Sequence, residues 1–382
     1  MGELQALLSS LDELLEDPCR RMREVRASHG RPIVAYLPPD LPEEIIHAAG
    51  AVPFPLLGSA PSESRLASTV PSFLCPPVRI ALGRAEHGEL SFAGGFVFPF
   101  MCDSTKALAQ LWRPHAGGRF THALCLPRLP DRAGAEAFLF HEFLRLKERL
   151  EEATGVHASE TDLRASIRLY NENRALLRQL GEGVHRGRSG LEPAGFYRLV
   201  RASMFMPKEE HSALVRRFLA LPPPAVPSHE NAPRVFLCGY WAEPRELFTQ
   251  IAGAGMRIVG DNLHDGTRYF EVDAEEQGDP LAALARRQAR RSPSSCFHYS
   301  DAPWPRYLAN RVQELGAEGV VYVSPSRCDP MDFDYPAIRD ALEAVNVPLL
   351  ALQAEFAGAP DAQAGTRLAA FGELLRGRRD EP

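Results

Sequence analysis

One pattern is written twice in this chain and limits what it can fold into. Gly94-Gly-Phe-Val-Phe-Pro-Phe100 is an apolar run that stops near a proline, and Met101-Cys102-Asp103-Ser104-Thr105-Lys106 follows it. Gly319-Val-Val-Tyr-Val-Ser324 is a second apolar, β-branched run, and Arg327-Cys328-Asp329 follows that. Each reads as a buried strand that hands over to a cysteine. After the first comes a helix with Asp103 or Ser104 available as its N-cap. A cysteine between a strand's carboxyl end and a helix N-terminus sits where open α/β sheets bind ligands. The helix end also favours thiolate over thiol.

What precedes these two runs repeats as well. Pro32–Leu37 reads as a strand, Pro38-Pro39-Asp40 as a turn, Pro42–Gly50 as a helix with early carboxylates, and Val52–Leu57 as the next strand. Roughly two hundred residues later Arg234–Tyr240, Pro244–Gly255 and Met256–Gly260 give strand, Pro-x-Glu helix and strand again. The chain is therefore expected to hold two related α/β domains, each an open parallel, Rossmann-like sheet, facing each other. Leu4, Leu7, Leu8, Leu11, Leu14 and Leu15 fall at helical spacing, with Pro18 interrupting. Between the halves the pattern is helical around Phe138–Leu150, Thr161–Leu176 and His211–Leu219, then Pro-rich at Leu221–Ser228. A helix at Tyr335–Ala344, a strand at Val347–Leu352 and a helix at Gln363–Arg376 complete the second half. The expected organisation is 1–30, a helical segment; 31–130, the first α/β domain; 131–228, helices and linker; and 229–382, the second α/β domain.

A net charge of -6 gives no reason to expect nucleic acid. No run approaches the ~18 apolar residues of a membrane span. Met1-Gly-Glu-Leu lacks the basic region of a signal peptide. A cytoplasmic protein is expected. Seven cysteines, an odd number scattered over a long chain, argue for thiols or ligands rather than a disulfide framework.

Three cysteines stand in suggestive contexts: Cys75 in the proline-kinked Ser72-Phe-Leu-Cys-Pro-Pro77, and the strand-end pair Cys102 and Cys328. If the halves face each other, all three converge on one cleft. Thiolates select iron–sulfur clusters, zinc or copper(I), and the lack of any C-x-x-C excludes zinc ribbons and ferredoxin-type runs. Spacing alone leaves ordinary buried packing open. Cys19 reads as packing, Cys238 as mid-strand core, and Cys125 and Cys296 have no ligand context.

Longer stretches narrow the choice. Tyr36 to Gly58 contains Pro42-x-Glu44-Ile45-Ile46-x-Ala48-Ala49-Gly50-Ala51. Cys75-Pro76 and Phe98-Pro-Phe-Met-Cys102-Asp103 follow. Arg257-Ile-Val-Gly-Asp261 precedes Gly266-Thr-Arg268-Tyr269-Phe270. Gly319-Val-Val precedes Arg327-Cys328-Asp329, and Gly365-Thr-Arg367 precedes Ala370-Phe371. In this order, over nearly the whole chain, they resemble the 2-hydroxyacyl-CoA dehydratase (D-component) family, which includes the benzoyl-CoA reductase cluster subunits.

The resemblance implies that Cys75, Cys102 and Cys328 hold a [4Fe-4S] cluster by three irons, leaving the fourth for water or the thioester oxygen of an acyl-CoA. It implies a lyase that dehydrates its substrate through a ketyl radical, on electrons from a separate ATP-dependent activator. No P-loop is present in this chain. A homologous second subunit, or a homodimer, is expected. An aromatic-ring reductase subunit needs the same cysteines. A noncatalytic electron-transfer subunit would instead give all four irons protein ligands or bury the cluster from substrate, and a clusterless scaffold would lack iron altogether. Glu44 is the candidate acidic group near the substrate, with a helix-terminal structural carboxylate as its alternative. Arg268 and Arg367 are candidate anion partners or structural ion pairs. Ser72, Ser104 and Ser326 could hydrogen-bond cluster sulfurs, and Asp103 and Asp329 read as capping groups. His264 stands where the family often has cysteine.

Overall fold

The computed structural model describes residues 2–37, 40–57, 70–223, 231–240, 246–300, 303–354 and 362–380. Two helices come first, α1 (Gly2–Glu16) and α2 (Pro18–His29). Pro18 does separate them, by sitting in the first turn of α2, where its missing N–H costs nothing. The Asp17 carboxylate caps that turn by accepting from Arg20 N at 2.9 Å. Gly30 closes the helix at φ 65°, a left-handed conformation glycine adopts without a side-chain penalty.

The first half then runs β1 (Ile33–Tyr36), α3 (Glu43–Ala48), β2 (Val52–Pro55), α4 (Pro76–Glu86), β3 (Ala93–Phe100), α5 (Asp103–Leu111), α6 (Arg113–Ala116) and β4 (Phe120–Cys125). Four helices follow: α7 (Ala135–Thr154), α8 (Glu160–His185), α9 (Pro193–Ala202) and α10 (Lys208–Leu219). The second half is β5 (Arg234–Gly239), α11 (Glu246–Gly253), β6 (Arg257–Asn262), α12 (Thr267–Phe270), α13 (Pro280–Ala289), α14 (Trp304–Glu314), β7 (Gly319–Pro325), α15 (Asp329–Glu343), β8 (Leu349–Ala354) and α16 (Ala362–Asp380). Each half forms a four-stranded sheet, ordered β2-β1-β3-β4 and β6-β5-β7-β8, and every pairing is parallel. The expected architecture of two related Rossmann-like sheets with helices between them and at the N-terminus is what the chain adopts.

Three local differences have physical reasons. Phe120–Cys125 forms the fourth strand of the first sheet although exposed Thr121 and Ala123 alternate with buried His122 and Leu124, as on an edge strand. The loop expected around Cys75 ends at that residue: Cys75 is its last, extended position, and Pro76 and Pro77 are the first turn of α4. α15 starts at Asp329, six residues before Tyr335, and runs through Pro336, an internal proline that hides the true start in the sequence. The turn at Pro38-Pro39, the greater part of the Pro-rich linker and the helix start at Pro244 lie outside the described residues.

Of the central strands, β1 and β7 are buried at every position, and β3 and β5 at all but one end each and Gly94. Phe96 and Phe98 of β3 both pack on the fully buried Trp112, with ring centroids 5.0 and 5.2 Å away. Burying rings of this size supplies about 1.5–3 kcal/mol each. The long helix α8 ties the halves together. Ser166 Oγ donates to Glu44 O at 2.9 Å on one side. On the other, Asn171 Nδ2 donates to Ala274 O at 2.8 Å and Arg178 Nη1 to Phe270 O at 2.6 Å. No helix among the described residues is long and apolar enough to cross a membrane.

Candidate functional site

Cys75, Cys102 and Cys328 share one local geometry: each is the N-cap of a helix, of α4, α5 and α15 respectively. At Cys75 the rigid Pro76-Pro77 turn sets the cap, and its carbonyl accepts from Val78 N at 3.1 Å. At Cys102 the capping work falls to Thr105, whose Oγ1 accepts from the backbone N of Met101 at 3.0 Å and of Cys102 at 3.2 Å. The cap is therefore Cys102 rather than Asp103 or Ser104: Asp103 is the first helical residue, with a side chain 97% exposed. At Cys328 the carbonyl accepts from Met331 N and Asp332 N, each at 3.0 Å. The residue before it, Arg327, is held at φ 57°. A non-glycine residue in that region costs roughly 1–2 kcal/mol, and such strain collects at functional positions.

The two sheets bring these caps together. In both, the chain leaves the central strand pair in opposite directions, and the carboxyl ends of those strands are where an open α/β sheet holds a ligand. Leu37, Met101, Tyr240 and Pro325 follow or end β1, β3, β5 and β7, and all four line one inner pocket of about 410 Å³. Cys75, Cys102 and Cys328 line it too. So does a fourth cysteine, Cys296, which is 1% exposed. On its other side the same trio opens on a cleft of about 1180 Å³, edged by Lys106, Cys125, Arg128, Arg327, Asp103 and Phe333. Phe333 is 83% exposed there.

Burial dominates the electrostatics. It pushes the Cys75 thiol up to about 12, with Cys102 adding to the rise and hydrogen bonds from Val78 and Ser104 opposing it. It likewise raises the Cys328 thiol, against a hydrogen bond from Met331 and with the neighbouring Cys75, Cys296 and Cys102 adding to the rise. The Cys296 thiol rises to about 12 from burial, opposed by the Tyr240 hydroxyl. Without a cation, the Cys75, Cys296 and Cys328 sulfurs are thiols at neutral pH. A positive centre among them would reverse that balance. Ser295 and Ser326, each next to or near one of these cysteines in sequence, bury hydroxyls that have no hydrogen-bond partner among the described residues.

Glu44 lines a different cavity, which shares none of its described lining residues with the two cysteine cavities. Its side chain is 2% exposed and its Oε1 accepts from Arg174 Nη1 at 2.7 Å. Burial alone would raise its pKa, but Arg174 and Arg287 outweigh that and hold it below the ordinary value. Beside it Glu43 accepts from the hydroxyls of Tyr36 and Tyr269 and pairs with Lys208 Nζ at 3.1 Å. Nearby, Asp40 accepts from Arg291 Nη1 at 2.5 Å.

The remaining sequence candidates divide. Ser104 bonds Cys75, whereas Ser72 and Arg367 are exposed. Arg268 is fully buried and bonded to Ser292 Oγ at 2.9 Å and Pro293 O at 3.0 Å, a structural role. His264 is buried between the Tyr240 ring, 4.2 Å away, and Asp40. Burial, with Arg268 and Arg291 adding to it, keeps its pKa well below the ordinary value, so the ring is neutral. Sequence reasoning missed Cys296 and Tyr240. Cys296 sits in an irregular hairpin, Ser294-Ser-Cys-Phe297, with no strand-end signature.

Compared with known proteins, residues 40–375 match the family model of the 2-hydroxyglutaryl-CoA dehydratase D-component. The chain is 28% identical to the beta subunit of the lactoyl-CoA dehydratase of Anaerotignum propionicum, over 98% of this chain and 100% of that protein. It is 29% identical to one of the subunits of the benzoyl-CoA reductase of Thauera aromatica, over 91% and 92%. To the beta subunit of the (R)-2-hydroxyglutaryl-CoA dehydratase of Acidaminococcus fermentans it is 24% identical, over 97% and 100%. A match over so much of its length, on a fold that joins the expected cysteines, means that the chain belongs to the 2-hydroxyglutaryl-CoA dehydratase D-component family.

Proposed function

We propose that this chain is the [4Fe-4S] subunit of a two-subunit enzyme of the 2-hydroxyacyl-CoA dehydratase type, with Cys75, Cys102 and Cys328 each binding one iron. The observation that carries the reading is the convergence of three N-cap cysteines on one pocket at the carboxyl ends of both sheets. The donors fit such a group. They are all sulfur, set in apolar walls of Leu37, Pro77, Val78 and Pro325, with two unpartnered serine hydroxyls nearby. Among the described residues no three His, Cys, Asp or Glu side chains close around a single metal ion, and a multi-iron body spans a wider set.

Bound there, the cluster supplies a one-electron reductant and an iron that can polarise a thioester carbonyl. The rest follows from the chain's own residues. The N-termini of α4, α5 and α15 each turn a partial positive charge toward the sulfurs, and the backbone of Val78 and of Met331 also bonds Cys75 and Cys328, which favours the ionised form. Ser104 donates to Cys75 and tunes it. Arg128 and Arg327 bring two cations to the outer cleft that suit the phosphates of an acyl-CoA, beside Lys106, which pairs with Asp103 at 3.3 Å, and Asp329; Phe100 and Phe333 give apolar area. Glu44, ionised and locked to Arg174 in the other cavity, is assigned no step.

The relatives' names support a chain that works as one subunit of a larger enzyme; its partner would be a homologous second subunit, and a separate ATP-dependent activator would deliver electrons at the exposed cleft. A benzoyl-CoA reductase-type subunit uses the same residues. A second role, a cluster that only relays electrons to the partner, is favoured by one observation, the fourth cysteine in the inner pocket.

The test is anaerobic purification of wild type and Cys102→Ser. About four irons and matching sulfide per chain in the wild type, lost or made labile in the variant, are expected. An iron-free wild type after strict anaerobic reconstitution would refute the reading.

A further inference from the structure

We propose that Cys296 is the fourth protein ligand of this site, so that every iron of a cluster held here carries a cysteine sulfur. The proposal rests on the three-cysteine cluster reading above and takes its electron-relaying form in place of the open-iron one. Its first ground is place: of the described residues lining the inner pocket, four are cysteines, and Cys296 is among them. The trio faces both the inner pocket and the outer cleft, whereas Cys296 faces the inner pocket alone. On the inner side the cysteine sulfur that would be available to a cluster, beyond those of the trio, is that of Cys296.

The second ground is the internal duplication. Cys102 and Cys328 follow the equivalent strands β3 and β7. Cys75 precedes α4, the helix that leads into β3. Cys296 precedes α14, the helix that leads into β7. The separations are similar, 27 residues from 75 to 102 and 32 from 296 to 328. Each half therefore contributes one cysteine ahead of its third helix–strand unit and one after it. The second member of the early pair escapes notice because α4 starts directly after Cys75, whereas seven residues lie between Cys296 and Trp304.

The third ground is that Cys296 is held in position. His298 N donates to Arg128 O at 2.9 Å, which ties its hairpin to the first half, and Ser294 and Phe297 close the hairpin by a backbone bridge. The Tyr240 hydroxyl lies 2.9 Å from Cys296 Sγ and 3.8 Å from Met101 Sδ, so one phenol spans the pocket between Cys296 and the residue before Cys102. On ligation the Cys296 S–H bond breaks, its proton passes to buffer, and an Sγ–Fe bond replaces the iron's solvent ligand. No electron is transferred. The Tyr240 hydroxyl then donates to the bound sulfur, a contact that raises a cluster's potential. A cluster closed in this way has no iron left for a thioester, which makes this chain the electron-relaying member of its pair.

The test reconstitutes wild type, Cys296→Ser, Cys296→Ala and Tyr240→Phe anaerobically with ferrous iron and sulfide. Iron and sulfide are counted, and electron paramagnetic resonance is followed during ferricyanide titration and after addition of 2-mercaptoethanol. Wild type is expected to keep four irons, to show no early three-iron signal, and to have a reduced spectrum unchanged by the added thiol. Both Cys296 variants are expected to shed one iron at low oxidant and, when reduced, to respond to the thiol. Tyr240→Phe should keep four irons with a lower potential. A wild-type cluster that sheds one iron early, or whose reduced spectrum shifts with the thiol, overturns the proposal even if the Cys296 variants do not fold. So do folded variants indistinguishable from wild type. An iron-free wild type overturns the cluster reading itself, and is told apart from these outcomes by its iron count.

Discussion

Replacing Arg174 by methionine isolates what the Glu44 carboxylate does. The two side chains are 4% and 2% exposed and meet at 2.7 Å. Arg174→Met keeps much of the buried stem and removes the charge, leaving Glu44 ionised in a pocket with Arg287 and Lys208 as the remaining cations near it. Removing one partner of a buried pair costs about 3–5 kcal/mol. Arg287 places this case near the lower end, and loss of the 2.6 Å bond from Arg174 Nη2 to Asn171 Oδ1 offsets part of that relief. The expected loss at pH 7 is about 3 kcal/mol, or roughly 6–12 °C in the melting midpoint at about 2–4 °C per kcal/mol. The pH dependence supplies a sign. In the wild type the folded pKa of Glu44 lies below its unfolded value, so the pair contributes stability above about pH 4.3, and that contribution fades as the pH falls through the folded pKa. In the variant the buried carboxylate protonates more readily, so the difference between the two proteins should shrink toward acid. Urea denaturation at pH 7 and near pH 5 measures both numbers. The double variant Arg174→Met/Glu44→Leu should recover most of the loss. A single variant that loses under about 1 kcal/mol, or a gap that widens on acidification, refutes a structural pair.

His211 offers a second titration. Its Nδ1 accepts from Asn173 Nδ2 at 2.8 Å and its Nε2 donates to Leu199 O at 2.9 Å, an arrangement only the neutral ring satisfies. Burial, with Lys208 adding to it, holds its pKa at about 3. Stability that depends on the neutral ring is present above about pH 6.5 and declines by up to about 1.4 kcal/mol per pH unit below it. His211→Gln should flatten the stability profile between about pH 6.5 and 5, and an unchanged slope would count against the buried neutral ring. At Gly239, the last residue of β5, an added Cβ would lie 2.3 Å from Val323 O. Gly239→Ala should push β5 from β7 beside Tyr240, cost roughly 1–3 kcal/mol and lower the retained iron. A wild-type melting midpoint would refute the close approach.

The repeated half was legible in the sequence because strands buried on both faces read as unbroken apolar runs, as Gly319–Ser324 and Phe96–Phe100 do. β4 was not, because an edge strand that alternates looks like loop in a short window. The trio of Cys75, Cys102 and Cys328 could be read because two of them stand at strand ends and all three fall in the family's motifs. Cys296 could not, since its place depends on a backbone bond from His298 to Arg128, 170 residues earlier in the chain. The partner of Glu44 was equally hidden. Arg174 is 130 residues away on α8, and nothing local to Pro42-x-Glu44 announces that the carboxylate is neutralised from there.

That same helix explains why a site shared by two sheets can be stiff. Neither sheet completes the inner pocket alone: β1 and β3 supply one wall, β5 and β7 the other. Its shape therefore depends on how the halves are held, and α8 holds them from the side of the polar cavity. Arg174 grips Glu44 of the first half at 2.7 Å and approaches Asp273 of the second at 3.4 Å. Asn171 bonds the Ala274 backbone in both directions, donating at 2.8 Å and accepting at 3.0 Å. Tyr269 and Lys208 both meet Glu43 across the same boundary. Charged groups buried this deeply gain little net stability over apolar replacements. They do fix one register, because a slipped arrangement would leave each of them buried and unpaired. The polar cavity thus sets the spacing of the two sheets, and the sheets in turn set the spacing of four sulfurs.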